Sequence, residues 1–308
     1  MFKASRTPRR WPGLSTLPLL AGLMMLSGAG WAQLPAGEGD PCPSLASAAR
    51  DPLLVHVPFE TVDGRIYVRA KVNGRAGYRF AVDTGASGLA RADARLTESL
   101  HLPAAGQSGN SDGVQTAVAQ TVRIDTLELD GLRRAGIEAI TRDYRAKLKD
   151  EAAFDGILAR EFFADGLLII DYPARMLSFS RSLSLPGDRA DVLSYTRPFR
   201  VPVRIGERQL EGNLDTGANV ALVLPKARYD QIEAGPLAEA GSGQLSHTAI
   251  ELGKATVHGP VQVGGLVLRD LDARVSDRYP ELLVGALALK DSVLMIDQRA
   301  MRVAVCTP

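Results

Sequence analysis

Phe80-Ala81-Val82-Asp83-Thr84-Gly85-Ala86-Ser87 is the stretch on which the reading of this chain turns. It recurs as Gly212-Asn213-Leu214-Asp215-Thr216-Gly217-Ala218-Asn219. In both copies apolar residues lead into an acid, and a hydroxyl residue, a Gly and an Ala follow. An Asp at the end of a hydrophobic strand is costly unless it is hydrogen-bonded or has a chemical task. The adjacent Gly lets the backbone turn sharply and come close to the acid.

The flanks of the two copies repeat as well. Ahead of the first, Ile66, Val68, Ala70 and Val72 alternate with Tyr67, Arg69 and Lys71, which is strand periodicity. Asn73-Gly74 is a hairpin turn signal, and the return strand Tyr78 to Val82 delivers Asp83. Ahead of the second, Val201, Val203 and Ile205 alternate, Gly206-Glu207 turns, and Leu210 to Leu214 deliver Asp215. Downstream, Gly156-Ile157-Leu158-Ala159 matches Leu282-Leu283-Val284-Gly285, and Leu167 to Asp171 matches Val293 to Asp297. The two Asp residues lie 132 positions apart, and the later elements repeat at 126. Such regularity predicts one duplicated unit.

Between these elements, Val122, Ile124, Leu127 and Leu129 read as strand, Asp130-Gly131 as a turn, and Ile137 to Ile140 as strand. Arg142 to Glu151 has room for a short helix. The polar, Gly-rich stretches Gly106 to Gly113 and Gly241-Ser242-Gly243 read equally as flaps over a site or as exposed loops. Many short strands with turns between them and no long helix predict an all-β fold of two similar lobes. The expected organisation is a signal segment over 1–32, a linker over 33–52, an N-terminal lobe over 53–184 and a C-terminal lobe over 185–308. Residues 181–198, with Pro186-Gly187-Asp188, read as the connection between lobes.

The two Asp-Thr-Gly loops, with Leu283-Val284-Gly285 and its counterpart Ile157-Leu158-Ala159, resemble the retropepsin-like branch of the aspartic proteases, two units joined in one chain. The resemblance spans roughly residues 55–306. It implies two acid-protease-like lobes related by a pseudo-two-fold axis. It implies that Asp83 and Asp215 are the catalytic pair under a flap. It also implies that Thr84 and Thr216 interlock the loops, with Gly85, Ser87, Gly217 and Asn219 supporting the site. The first half departs from the family pattern by carrying Ala159 where Gly is expected. Accommodating an extra methyl costs about 1–3 kcal/mol where a core is overpacked. Neither candidate flap carries a Tyr.

The chemistry follows from the carboxyls themselves. Two carboxylates held close cannot both ionise easily, so the pair keeps one proton over a wide pH range; aspartic proteases are the standard instance. The ionised member can take a proton from a water, which attacks a peptide carbonyl, while the protonated member donates to the developing oxyanion. The pair titrates as a unit, so neither Asp has a separate role in the sequence. No cofactor and no metal are needed, and the expected partner is a peptide or protein substrate met by a monomer.

Composition narrows the alternatives. The chain has 308 residues, 45% hydrophobic and 23% charged, with a formal net charge of +1. That balance gives no electrostatic reason to expect a nucleic-acid partner. His56, His101, His247 and His258 lack metal-ligand spacing, and no Gly-x-Ser-x-Gly elbow occurs. Asp171 and Asp297 read as strand-end turn residues.

Lys3, Arg6, Arg9 and Arg10 precede an uncharged apolar stretch from Leu17 to Leu26, then small residues up to Ala32. This reads as an export signal, Arg9-Arg10 leaving a twin-arginine reading open, so the protein is expected to be periplasmic or secreted. It meets a membrane only if the segment stays uncleaved. Export permits a Cys42–Cys306 disulfide, worth roughly 5 kcal/mol at most in the chain-entropy view, with two free thiols as the alternative. The rival to an endopeptidase is a catalytically inactive exported peptide-binding protein, for which Ala159 is the evidence.

Overall fold

The computed structural model describes residues 53–307, the side chain of 147 excepted, and these fall within one compact unit. The signal segment, the linker over 33–52 and Cys42 lie outside the described residues, and so does the pairing of Cys42 with Cys306. The architecture is all-β, in three sheets. An eight-stranded sheet belongs to the first half, a nine-stranded sheet to the second, and a six-stranded sheet to both.

The two large sheets share one central arrangement. In the first half, Arg75–Asp83 runs parallel to Gly156–Ala159, which places Asp83 opposite Ala159. Gly156–Ala159 runs antiparallel to Ala90–Asp93, which is itself parallel to Leu132–Arg142. In the second half, Arg208–Asp215 runs parallel to Leu282–Gly285, with Asp215 opposite Gly285. Leu282–Gly285 runs antiparallel to Leu222–Pro225, which is parallel to Leu271–Ser276. The repeat in sequence is therefore a repeat in topology. Each Asp ends a strand that is paired on both sides, so its backbone is held by ladders and its side chain can be aimed.

The six-stranded sheet joins the halves. Leu167–Asp171 pairs antiparallel with Val293–Asp297, with Leu167 opposite Asp297, Ile169 opposite Met295 and Asp171 opposite Val293. Under the 126-residue offset this register maps onto itself, so the pseudo-two-fold axis passes through the Ile169–Met295 pair. Its strands are apolar on both faces: Leu168 and Ile170 join the main core, while Leu167 and Ile169 pack with Val293 and Met295 on the other side. Asp171 and Asp297 act at strand ends as read from the sequence. Asp171 accepts the Ala174 N–H at 2.9 Å, and Asp297 accepts the Leu185 N–H at 3.1 Å and the Ser184 hydroxyl at 2.7 Å.

Several local readings need correction. The connection over 181–198 contains a strand, Val192–Ser194, that pairs with Arg302–Cys306 and forms one edge of the six-stranded sheet. Val55–Pro58 does the same at the other edge, against Met176–Ser180. Arg142 to Glu151 holds only single turns of 3-10 helix, Arg145–Lys147 and Asp150–Ala152. The longest α-helix among the described residues, Ala94–Ser99, begins at Asp93, whose side chain caps it. Tyr67 does not face solvent with Arg69 and Lys71: it is buried against Ala81 and Phe154, with the Arg79 guanidinium 3.9 Å from its ring centre.

The Ala159 departure has a structural counterpart. A methyl at Gly285 would meet the Val220 carbonyl oxygen and, at 2.9 Å, that of Ala218. In the first half the position equivalent to Val220 is Gly88, which takes a φ of +88° that Val220 does not share. Ala159 is fully buried there with its N–H bonded to Leu89 at 3.1 Å. The methyl and the neighbouring loop have thus been exchanged together. Gly285→Ala is expected to cost about 1–3 kcal/mol through overpacking. Ala159→Gly should leave the fold intact and cost only about 0.5–1 kcal/mol in backbone entropy. Denaturant midpoints of the two variants check this; an equal loss in both would reject it.

Candidate active site

The strand ends bring the two Asp-Thr-Gly loops face to face. Thr84 and Thr216 lie beneath, fully buried. The Thr84 N–H donates to Thr216 Oγ1 at 3.1 Å, and the Thr216 N–H donates to Thr84 Oγ1 at 3.0 Å. Each hydroxyl then donates across the axis: Thr84 to the Leu214 carbonyl at 2.9 Å, Thr216 to the Val82 carbonyl at 2.8 Å. Four hydrogen bonds therefore cross between the halves within two residues of the acids. Inside a buried site such bonds polarise one another, and losing one partner strands the other.

The carboxyls sit above this lattice. Asp83 Oδ1 accepts the Ala86 N–H at 2.9 Å, and Asp215 Oδ1 accepts the Gly217 N–H at 2.8 Å. Each carboxyl also rests on the glycine of the opposite loop. A Cβ at Gly85 would overlap the Asp215 carboxyl, and a Cβ at Gly217 would overlap that of Asp83. This is the physical reason for glycine at both positions: no side chain fits between an acid and the facing loop. Burial pushes the Asp215 carboxyl above the ordinary carboxylate range, and the charge of Asp83 pushes it further, against the opposing pull of the Gly217 and Ala218 N–H groups. The pair thus holds a proton at pH values where an isolated Asp has lost it.

Both acids open into a cleft of about 580 Å³. Gly85, Ser87, Gly217 and Asn219 line it beside them, Ser87 and Asn219 being exposed. Every residue singled out from the two loops is therefore at the cleft or directly beneath it.

Two hairpins roof the cleft. The Gly-rich stretches are strands within them: Ala104–Ser111 pairs with Thr116–Leu129, and Ala238–Gln244 with Ala249–Val257. Their tips meet. The His247 N–H donates to Asp112 at 3.2 Å, and His247 Nε2 lies 2.9 Å from the Gln115 carbonyl. Burial opposes ionisation of Asp112, but hydrogen bonds from the Gln115, Val114 and His247 N–H groups outweigh it and bring its pKa down to about 2. Val114 packs against the apolar patch of Ile250, Tyr279 and Leu283 on the C-terminal side.

Several cleft-lining residues lie outside the two Asp-Thr-Gly loops and their flanks. Arg65, Arg91, Arg160 and Arg200 all line it, as does Tyr279. Arg200 is held by Glu281, 81 residues away, a pairing without local signal. Arg91 did carry one, as a lone cation in the apolar run Leu89-Ala90-Arg91-Ala92.

Two β lobes that each present an Asp to a common cleft define an acid-protease-like architecture. Residues 68–162 match the family model described as aspartyl protease, consistent with a retropepsin-like aspartic protease family. The matched segment contains the first Asp-Thr-Gly loop, the first roof hairpin and the Gly156–Ala159 strand. No curated protein matches the chain. The family match supports an aspartic-protease-like, hydrolytic function in general.

Two outcomes follow from this geometry. Thr84→Val should leave the Thr216 N–H and the Leu214 carbonyl buried without partners, at about 1–3 kcal/mol for each. Thr84→Ser keeps the hydroxyl and should lose only about 0.8 kcal/mol for the methyl. Equal destabilisation of the two in denaturant would reject the interlock. The second outcome concerns pH. Because Asp215 binds its proton more tightly folded than unfolded, its contribution to stability is present in acid and lost as pH rises through the raised pKa. Asp215→Asn removes that loss, so its melting temperature should gain on the wild type as pH rises from acid to neutral. A constant difference across pH would contradict the coupling.

Proposed function

We propose that the protein is an aspartic endopeptidase that hydrolyses peptide bonds with a water activated between Asp83 and Asp215. The observation that carries this reading is the seating of each carboxyl on the opposite loop's glycine, above the Thr84–Thr216 interlock. One carboxylate takes a proton from the water as its oxygen attacks the peptide carbonyl carbon. The other carboxyl gives its proton to the carbonyl oxygen, yielding a tetrahedral diol. Collapse returns the carbonyl, breaks the C–N bond and passes a proton to the leaving nitrogen. Gly85, Ser87, Gly217 and Asn219 would shape the floor and rim, and the roof hairpins would enclose the peptide and exclude water.

The same reading has one exported chain, working as a monomer in the periplasm or outside the cell, with Cys42 and Cys306 joined as a disulfide. The binding-protein alternative rests on Ala159, and the presence of both Asp83 and Asp215 with both Thr84 and Thr216 speaks against it.

Purified protein incubated with a mixed peptide library across acidic to neutral pH should yield cleavage products. Asp83→Asn and Asp215→Asn should each abolish them while preserving the fold, and the double variant should be little worse than either single one. The alkaline limb of kcat/KM should lie above the ordinary Asp value of about 4, because it reports loss of the shared proton. Near wild-type activity in Asp83→Asn would overturn the shared pair.

A further inference from the structure

Arg91 has no carboxylate partner among the described residues, although it is only 5% exposed. Of the other arginines in the cleft, Arg200 is bound to Glu281 and Arg160 to Glu161, while Arg65 and Arg274, which also lack a carboxylate, are only half-buried and reach solvent. Arg91 Nη2 donates to Asn110 Oδ1 at 3.0 Å, and that is a neutral acceptor. The Arg91 Nε, the Asn110 Nδ2 and the Tyr144 hydroxyl are all buried without a protein partner. A buried cation normally has a counter-charge, and buried donors normally have acceptors. Here buried unpaired donors and a cation without an ion-pair partner accompany a cleft-lining side chain in the lobe that supplies Asp83, and the charges of Arg91 and Asp83 both bear on the Tyr144 hydroxyl.

The pseudo-symmetry makes the feature sharper. Arg91 lies opposite Ile157 in its sheet, and Val223 lies opposite Leu283 in the other. Arg91 and Val223 are therefore equivalent positions of the two lobes, and both line the cleft. The C-terminal member sits in the apolar patch with Ile250, Tyr279 and Leu283. Packing alone is satisfied by Val at this position, so the strand does not demand a cation.

We propose that Arg91, held by Asn110, heads a subsite that takes a carboxylate of the substrate, from an acidic side chain or from a peptide terminus. This rests on the endopeptidase reading and adds its selectivity: the two sides of the scissile bond meet chemically different walls. A guanidinium recognises a carboxylate by two parallel hydrogen bonds, and discrimination is strong when the site's buried donors would otherwise stay unpaired.

The test uses capped octapeptides carrying Glu or Gln at each position in turn, with the Gln set repeated with a free C-terminus. The mature protein should cleave the carboxylate form of one matched pair about 10-fold or more faster in kcat/KM, as a charge-assisted bond predicts. A Glu preference assigns a side chain, and a free-terminus preference assigns a chain end. Arg91→Val should collapse that ratio, and Arg91→Lys should retain part of it. If Arg91→Val fails to fold by circular dichroism, Asn110→Ala, which frees the guanidinium from its holder, should weaken the same ratio. Cleavage without discrimination in any pair would overturn the subsite and leave the endopeptidase standing. A ratio kept in Arg91→Val while all rates fall together would also overturn it, placing Arg91 in support of the acids. If no peptide is cleaved, the endopeptidase reading fails, and anisotropy of the same peptides, fluorescently labelled, on wild type and Arg91→Val decides the subsite. Equal binding of Glu and Gln forms would then reject it.

Discussion

The reciprocal hydrogen bonds of Thr84 and Thr216 are the constraint on which the rest of the structure depends. A carboxyl pair works only if two chain segments, 132 residues apart, stop at the same point in space. Sheet ladders deliver each Asp to the end of its own strand, but they act within one half. The threonines convert two strand ends into one rigid floor, because each backbone N–H that would be stranded by burial is satisfied by the other loop. The glycines next to them then let the carboxyls settle onto the facing loop. Proton sharing follows from burial and closeness together: burial raises Asp215 most, and the charge of Asp83 beside it adds to the shift.

The six-stranded sheet carries the same constraint on a larger scale. Its central pair of strands is self-symmetric about Ile169 and Met295, so the halves are aligned by backbone register as well as by the loops. A slip of one residue there would turn Leu168 and Ile170 out of the main core. Register in the sheet and hydrogen bonds in the loops thus fix the same axis from two places.

Much of this was legible in the sequence for a physical reason. Strand periodicity, turn residues and an acid after an apolar run are local signals, and the chain states them twice. The duplicated Asp-Thr-Gly loops, the hairpins around Asn73-Gly74 and Gly206-Glu207, and the all-β class were read from such signals. The readings that needed correction depend on partners remote in sequence. Gly106 to Ser111 lacks strand propensity and becomes strand because Thr116–Leu129 offers it a ladder. Val192–Ser194 becomes strand because the edge of Arg302–Cys306 is open beside it. Tyr67 is buried because Phe154 covers a face that alternation alone assigns to water.

Where the two halves agree and where they differ follows a division of labour. At the acids, the threonines and the facing glycines the halves carry the same residues, since a pair that shares one proton across an axis needs both acids delivered to one point. One shell further out they diverge: Gly88 at a positive φ with Ala159 in one half, Val220 with Gly285 in the other, where the Val220 and Ala218 carbonyls leave no room for a methyl. At the cleft wall they diverge again. Arg91 and Val223 differ in charge, and Arg91 has no ion-pair partner among the described residues, its side chain being held by the neutral Asn110. Duplication in a single chain is what makes such inequality available: a symmetric dimer of one lobe would have to carry the same residue on both walls.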